Sequence, residues 1–170
     1  MKRVKFALLA DLGTIVVPAD YDHATLLASF REQNEKPFYC YDEAITDQHF
    51  AKPSRVLKPG DRLQVQAYKQ VGSGETSSEQ RLAFLDSQHA VYTGAQGATL
   101  VWAQKSSQLP KGFWYCSFDR KERLWKDAGG IHRVPFVYAY SGGGFGFELG
   151  GFEDSWADYS VLLCFRDLAS

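Results

Sequence analysis

Leu63, Val65 and Ala67 alternate with Arg62, Gln64, Gln66 and Tyr68, the period of a strand with one face on a core and the other toward water. Lys58-Pro59-Gly60-Asp61 just before it is a turn signal. Nearer the start, Val4 to Leu9 and Ile15 to Val17 are short apolar runs rich in β-branched residues. They predict two strands around a turn at Asp11-Leu12-Gly13, the second ended by Pro18. His23, Leu26, Leu27 and Phe30 then fall at i, i+3, i+4 and i+7, one stripe of an amphipathic helix. Asp20 or Asp22 is placed to cap it, and Asn34 to Pro37 closes it. Phe38 to Tyr41 reads as a short strand and Thr46 to Phe50 as one helical turn. Gly72-Ser73-Gly74 is a break. Thr76-Ser77-Ser78-Glu79 after it matches a capping box for a helix that buries Leu82 and Leu85 and runs to about His89. A third helix is predicted from near Thr99, with Ala98, Val101, Trp102 and Leu109 on one face and Pro110 and Gly112 as stops.

From Phe113 the pattern is β. Phe113 to Phe118 is a run of large rings; Phe136, Tyr138 and Tyr140 alternate with Val137 and Ala139; Phe145, Phe147 and Leu149 alternate with Gly146, Glu148 and Gly150. Ser141-Gly142-Gly143-Gly144 joins the last two as a glycine hairpin, and Val161, Leu163 and Phe165 mark a final strand. About three helices in the first two-thirds and strands in the last third predict an α+β fold, the helices packed on a mostly antiparallel, aromatic-rich sheet. No repeat or long linker divides the chain, so one domain over residues 1–170 is expected.

Composition sharpens the picture at one point: 15% of the residues are aromatic, 12 Phe, 9 Tyr and 4 Trp. Such rings fill cores, but Tyr and Trp also make contact surfaces at little entropic cost. Charge is balanced, 19 Lys+Arg against 20 Asp+Glu, without the basic bias of a nucleic-acid binder. The local group Arg120, Lys121, Arg123, Lys126 and Arg133 is diluted by Asp119, Glu122 and Asp127 and reads as solvated charge. Cys40, Cys116 and Cys164 are odd in number and far apart, which suits free thiols in a reducing compartment. Lys2, Arg3 and Lys5 lead into an apolar run of only five residues, Phe6 to Ala10, too short for a signal peptide. A cytoplasmic protein without a membrane segment is expected, with no nucleic-acid partner.

The glycine run lacks the lysine and following helix of a phosphate-binding loop, and no complete G-x-G-x-x-G is present. His23, His49, His89 and His132 are scattered without ligand spacing, so no metal and no cofactor are expected. Cys40 and Cys164 sit among apolar neighbours, which quiets a thiol; a Cys40–His49 pair is the remaining nucleophilic option. Glu148, Glu153 and Asp154 precede Trp156. Carboxylates around an aromatic floor suit sugar binding or cleavage, but a polar turn anchored by a buried Trp156 is the simpler reading.

The order of short elements from about residue 17 to 167 resembles a group of small uncharacterised bacterial proteins. The elements are Asp20-Tyr21, Ile45 to Phe50, Ser77-Ser78-Glu79, Ala98-Thr99-Leu100, Val134-Pro135, Trp156 and Leu162 to Arg166. This resemblance implies no activity. A Trp-bearing loop before a terminal strand also resembles the end of C-type-lectin-like domains, which implies such a fold for the C-terminal part. The calcium-site triplets of those domains are missing.

Three functions remain. The first is a non-enzymatic binding or protein-interaction domain, using Trp114, Tyr115, Trp125, Tyr138, Tyr140 and Trp156 toward a protein or small-molecule ligand. The second is a small hydrolase combining His132, Arg133, Glu153 and Asp154. The third is a homo-oligomer whose exposed rings form the subunit interface.

Overall fold

The structure, a computed structural model, describes residues 5–168; Lys2, Arg3 and Val4, named above, lie outside them. In chain order the elements are β1 (Phe6–Val16), α1 (Leu26–Asn34), β2 (Phe38–Tyr41), β3 (Arg62–Gln70), α2 (Ser78–Ser87), α3 (Gly94–Lys105), β4 (Phe113–Cys116), β5 (Arg133–Ala139), β6 (Phe145–Gly151) and β7 (Ser160–Asp167). All seven strands join one sheet in the order β1-β3-β7-β4-β5-β6-β2. The β1/β3, β3/β7, β4/β5 and β5/β6 pairs are antiparallel, while β4/β7 and β2/β6 are parallel. Three helices on a mostly antiparallel sheet make the fold α+β, and no helix among the described residues is long and apolar enough to cross a membrane.

Several elements differ from the sequence expectations for local reasons. The two N-terminal strands are one strand, β1, which passes the supposed turn through register shifts at Leu8/Ala10 and Asp11/Gly13. Gly13 takes φ +74, Asp11 Oδ1 accepts its N–H at 3.0 Å, and Leu12 is driven into the core. A bulge thus does what a turn was expected to do. Neither Asp20 nor Asp22 caps α1; the Asp47 carboxylate, 20 residues away, accepts the Leu27 and Ala28 amides at 2.7 and 3.1 Å. The capping box lies one residue later, between Ser77 and Gln80 rather than Thr76 and Glu79. Helix α3 begins at Gly94, ahead of Thr99, and buries every residue from Gly94 to Val101. A helix buried all round carries no amphipathic stripe to read. Thr46 to Phe50 closes a single turn through Phe50 N–H to Thr46 O.

One sheet face carries Val65, Tyr115, Val137, Phe147, Val161, Leu163 and Phe165, and α1 and α3 cover it. The other carries Trp114, Cys116, Phe136, Tyr138, Leu162 and Cys164, and α2 lies over part of it through Leu82 and Leu85. Helix α2 packs near β7 and β4, with Phe84 reaching Phe6 and Tyr68. Toward β5, β6 and β2, no helix among the described residues packs on that face.

Candidate functional site

The uncovered part of the second face is a ladder of rings. Alternation along β5 sends Phe136 and Tyr138 to the same side. The Trp114↔Tyr138 register then brings Trp114 of β4 beside them. Tyr39 meets Tyr140 edge-on at 5.4 Å, and Tyr140 stacks on Tyr138 at 4.3 Å. Tyr138 tilts onto Trp114 at 5.9 Å, and Trp114 stacks on Phe136 at 4.3 Å and meets Tyr159 edge-on at 5.1 Å. Tyr39 is 73% exposed and Tyr159 44%; Trp114, Tyr138 and Tyr140 are partly buried. The inner rings pack on one another in stacked and tilted pairs, and Tyr140 lays its hydroxyl over Gly146 of β6.

The neighbouring strand makes room for them. On this face β6 presents Gly146, Glu148 and Gly150. A Cβ at Gly146 would lie 3.0 Å from Glu148 Oε2 and 3.1 Å from Tyr140 Oη, so both polar groups overlie that glycine. Trp156 lies against Gly150, where an added Cβ would come within 2.6 Å of its ring. The Trp156 segment is pinned from α2. Its backbone pairs with Thr76 in both directions, its indole N–H donates to Ser78 Oγ at 2.8 Å, and Ser78 Oγ donates to the Phe152 carbonyl.

Between ring wall and pinned segment lies a cleft of about 390 Å³. Trp114, Phe136 and Tyr159 wall one side, and Asp154 to Ala157 the other, with Gly150, Glu148, Arg133 and Glu75 also on its lining. Burial and the nearby Asp42 charge raise the Glu148 carboxyl above the usual range. Burial and the Glu148 charge likewise raise the Tyr140 hydroxyl.

Of the residues expected to bind, Trp114, Tyr138 and Tyr140 lie on this ladder and Trp156 is the buried anchor of the cleft. Tyr115 is a correction: it points to the opposite face, is fully buried and donates its hydroxyl to the Pro110 carbonyl. Trp125 lies away from this ladder: partly buried, it packs against the α1/α3 cluster and stacks on His49 at 4.1 Å. Tyr39 and Tyr159 complete the ladder, and Phe136, buried at 3% exposure, backs Trp114 from the core; none of the three was among the expected binding residues. Phe136 was readable from its alternation with Tyr138; Tyr39 and Tyr159 arrive from outside the strand pattern.

The hydrolase set is divided. The His132 ring meets Glu153 through Nδ1 at 2.6 Å, and Glu153 also accepts the His132 amide. Burial raises Glu153, but those bonds from His132 outweigh it and leave the carboxyl below its usual range. Arg133 instead pairs with Asp127 at 2.7 Å, and Asp154 lies over Gly151. Neither the hydrogen bonds of His132 nor those of Glu153 include a serine or cysteine. Cys40 is exposed on the edge strand, contrary to the expected apolar setting, while His49 is occupied by Trp125 and the Ala44 carbonyl. Cys116 is fully buried, and burial pushes its thiol to about 12.

No protein family, no curated protein and no solved structure matches this chain. What the cleft can do follows from its own lining: aromatic rings, the glycines Gly150 and Gly151, and the carboxylates of Glu75, Glu148 and Asp154.

Proposed function

We propose that this protein is a non-enzymatic binding domain whose contact surface is the uncovered aromatic part of the sheet. One observation carries the reading: an unbroken ladder of ring contacts runs from Tyr39 to Tyr159 on the face that carries α2, where no other helix among the described residues packs. Folded monomers rarely leave contiguous apolar surface of this kind without a use for it. Stacking among the inner rings argues against insertion of nucleobases between them, and the exposed phenols Tyr39 and Tyr159 at the ladder's ends favour a ligand that brings hydrogen-bonding groups.

A thermal-shift screen over sugars, nucleotides, amines and metal ions tests it. A ligand at about a hundred times its Kd raises the melting temperature by about 5–10 °C for a chain of this size. That shift is expected to vanish in Tyr138→Ser and Tyr159→Ser, whose side chains are partly exposed. A ligand whose shift survives both substitutions places binding elsewhere and ends the proposal.

A symmetric interface between two copies is the second reading, favoured by the 73% exposure of Tyr39 at one end of the ladder. Light scattering separates the two, since a dimer through these rings becomes monomeric in Tyr39→Ser. The hydrolase reading retains only the His132–Glu153 pair. A C-type-lectin-like C-terminal part is proposed solely on the Trp156 segment preceding β7.

A further inference from the structure

We propose that the cleft between the Trp114 wall and the Trp156 segment takes a small organic cation, an amidinium or ammonium on an apolar body, with Glu148 as its counter-charge. This rests on the binding-domain reading and names the ligand class for one part of that surface.

Charge is the first argument. Glu75, Glu148 and Asp154 line the cleft against one cation, Arg133. Arg133 is already committed to Asp127, with Nε at 2.8 Å and Nη2 at 2.7 Å from Oδ2. Asp42 adds further negative charge near Glu148. An anionic ligand would face three carboxylates with no free positive group to receive it.

Glu148 is the second. It takes part in no ion pair and no side-chain hydrogen bond among the described residues, although it is partly buried. A neutral occupant would strip water from this carboxylate and return nothing of equal strength. An amidinium or ammonium restores charge-assisted hydrogen bonds, the strongest kind open to it. The third argument is shape. Trp114 and Tyr159, with the buried Phe136 stacked on Trp114, offer an apolar wall for the ligand's body, and about 390 Å³ suits a small molecule rather than a folded partner.

Benzamidine and benzamide test this, because they share a ring and a planar head and differ in charge. Binding is followed by titration calorimetry and by amide and indole shifts in nitrogen-edited NMR spectra. Benzamidine is expected to bind about tenfold or more tighter than benzamide, the scale of one charge-assisted contact, and to shift Trp114, Glu148 and Tyr159. Glu148→Gln is expected to reduce benzamidine to the benzamide level. Comparing the two probes on the unaltered chain needs no variant, so misfolding of Glu148→Gln leaves the test intact. Equal affinity of both probes in the cleft overturns the cation inference while leaving an aromatic binding site. Shifts confined to other surfaces, or no binding by either probe, overturn the inference and remove the cleft from the proposed surface. Unchanged benzamidine affinity in a folded Glu148→Gln also overturns it.

Discussion

Replacing Arg81 with methionine tests what holds the cleft's far wall. Arg81 is fully buried, without a carboxylate partner, and burial lowers its pKa. Its Nε donates to Thr76 Oγ1 at 2.8 Å, Nη1 to the Ser160 carbonyl at 2.6 Å, and Nη2 to Gln70 Oε1 at 3.3 Å and the Ala157 carbonyl at 3.1 Å. It thereby ties α2 to the Ala157–Ser160 stretch that follows Trp156. Methionine keeps most of the packing but leaves the Ser160 carbonyl without this donor, at about 1–3 kcal/mol, while the Ala157 carbonyl keeps the Ser160 amide as a donor. Gln70 retains its bond from Thr76. Removing a desolvated charge returns part of that loss, since a buried ion costs several kcal/mol. The net expectation is a destabilisation of about 1–2 kcal/mol, a sizeable share of the roughly 5–15 kcal/mol that folded domains hold. Urea unfolding followed by tryptophan fluorescence measures it, with hydrogen exchange at Trp156 and Ser160 as the local readout. A variant within about 0.5 kcal/mol of the parent, or more stable, would show that the guanidinium is a burden rather than a clamp.

Two further substitutions probe packing and protonation. Gly150→Ala places a Cβ 2.6 Å from the Trp156 ring, and such overpacking costs about 1–3 kcal/mol. A lower melting temperature with red-shifted tryptophan emission is expected; unchanged emission would mean that Trp156 does not rest on that glycine. Asp119 is buried, and burial raises its carboxyl above the usual value despite bonds from the Ser54 hydroxyl and amide and the Arg120 amide. The folded state therefore keeps this proton to higher pH than the unfolded chain, whose aspartates titrate near pH ~3.9. Stability from this group falls as pH rises from that value through the raised one. Denaturation at a series of pH values should show the parent gaining on Asp119→Asn as the solution is acidified from neutral; a gain in the opposite direction refutes the burial argument.

The local pattern carried the element types. Alternation in β3, β5, β6 and β7, the Lys58–Asp61 turn, the glycine hairpin and the buried leucines of α2 all rest on contacts between near neighbours in the chain. A period of two or 3.6 expresses those contacts directly. The errors arose where a distant group intervened. Asp47 caps α1 from 20 residues away, β1 continues through a bulge because β3 supplies its ladder, and α3 lost its stripe by being enclosed.

The site shows the same division. Alternation alone puts Trp114 and Tyr115 on opposite faces of β4, yet it cannot say which face is covered. That was decided when α1 and α3 packed over Tyr115, and α2 stopped short of Trp114. Tyr39 and Tyr159 joined the ladder only because β2 pairs with β6 and β4 with β7, both parallel pairings that connect strands far apart in sequence. A residue's side of a strand is a property of its own backbone. Exposure depends on what the rest of the chain lays over it, and so the ring content was written in the sequence while the bare ladder and its cleft came from tertiary packing.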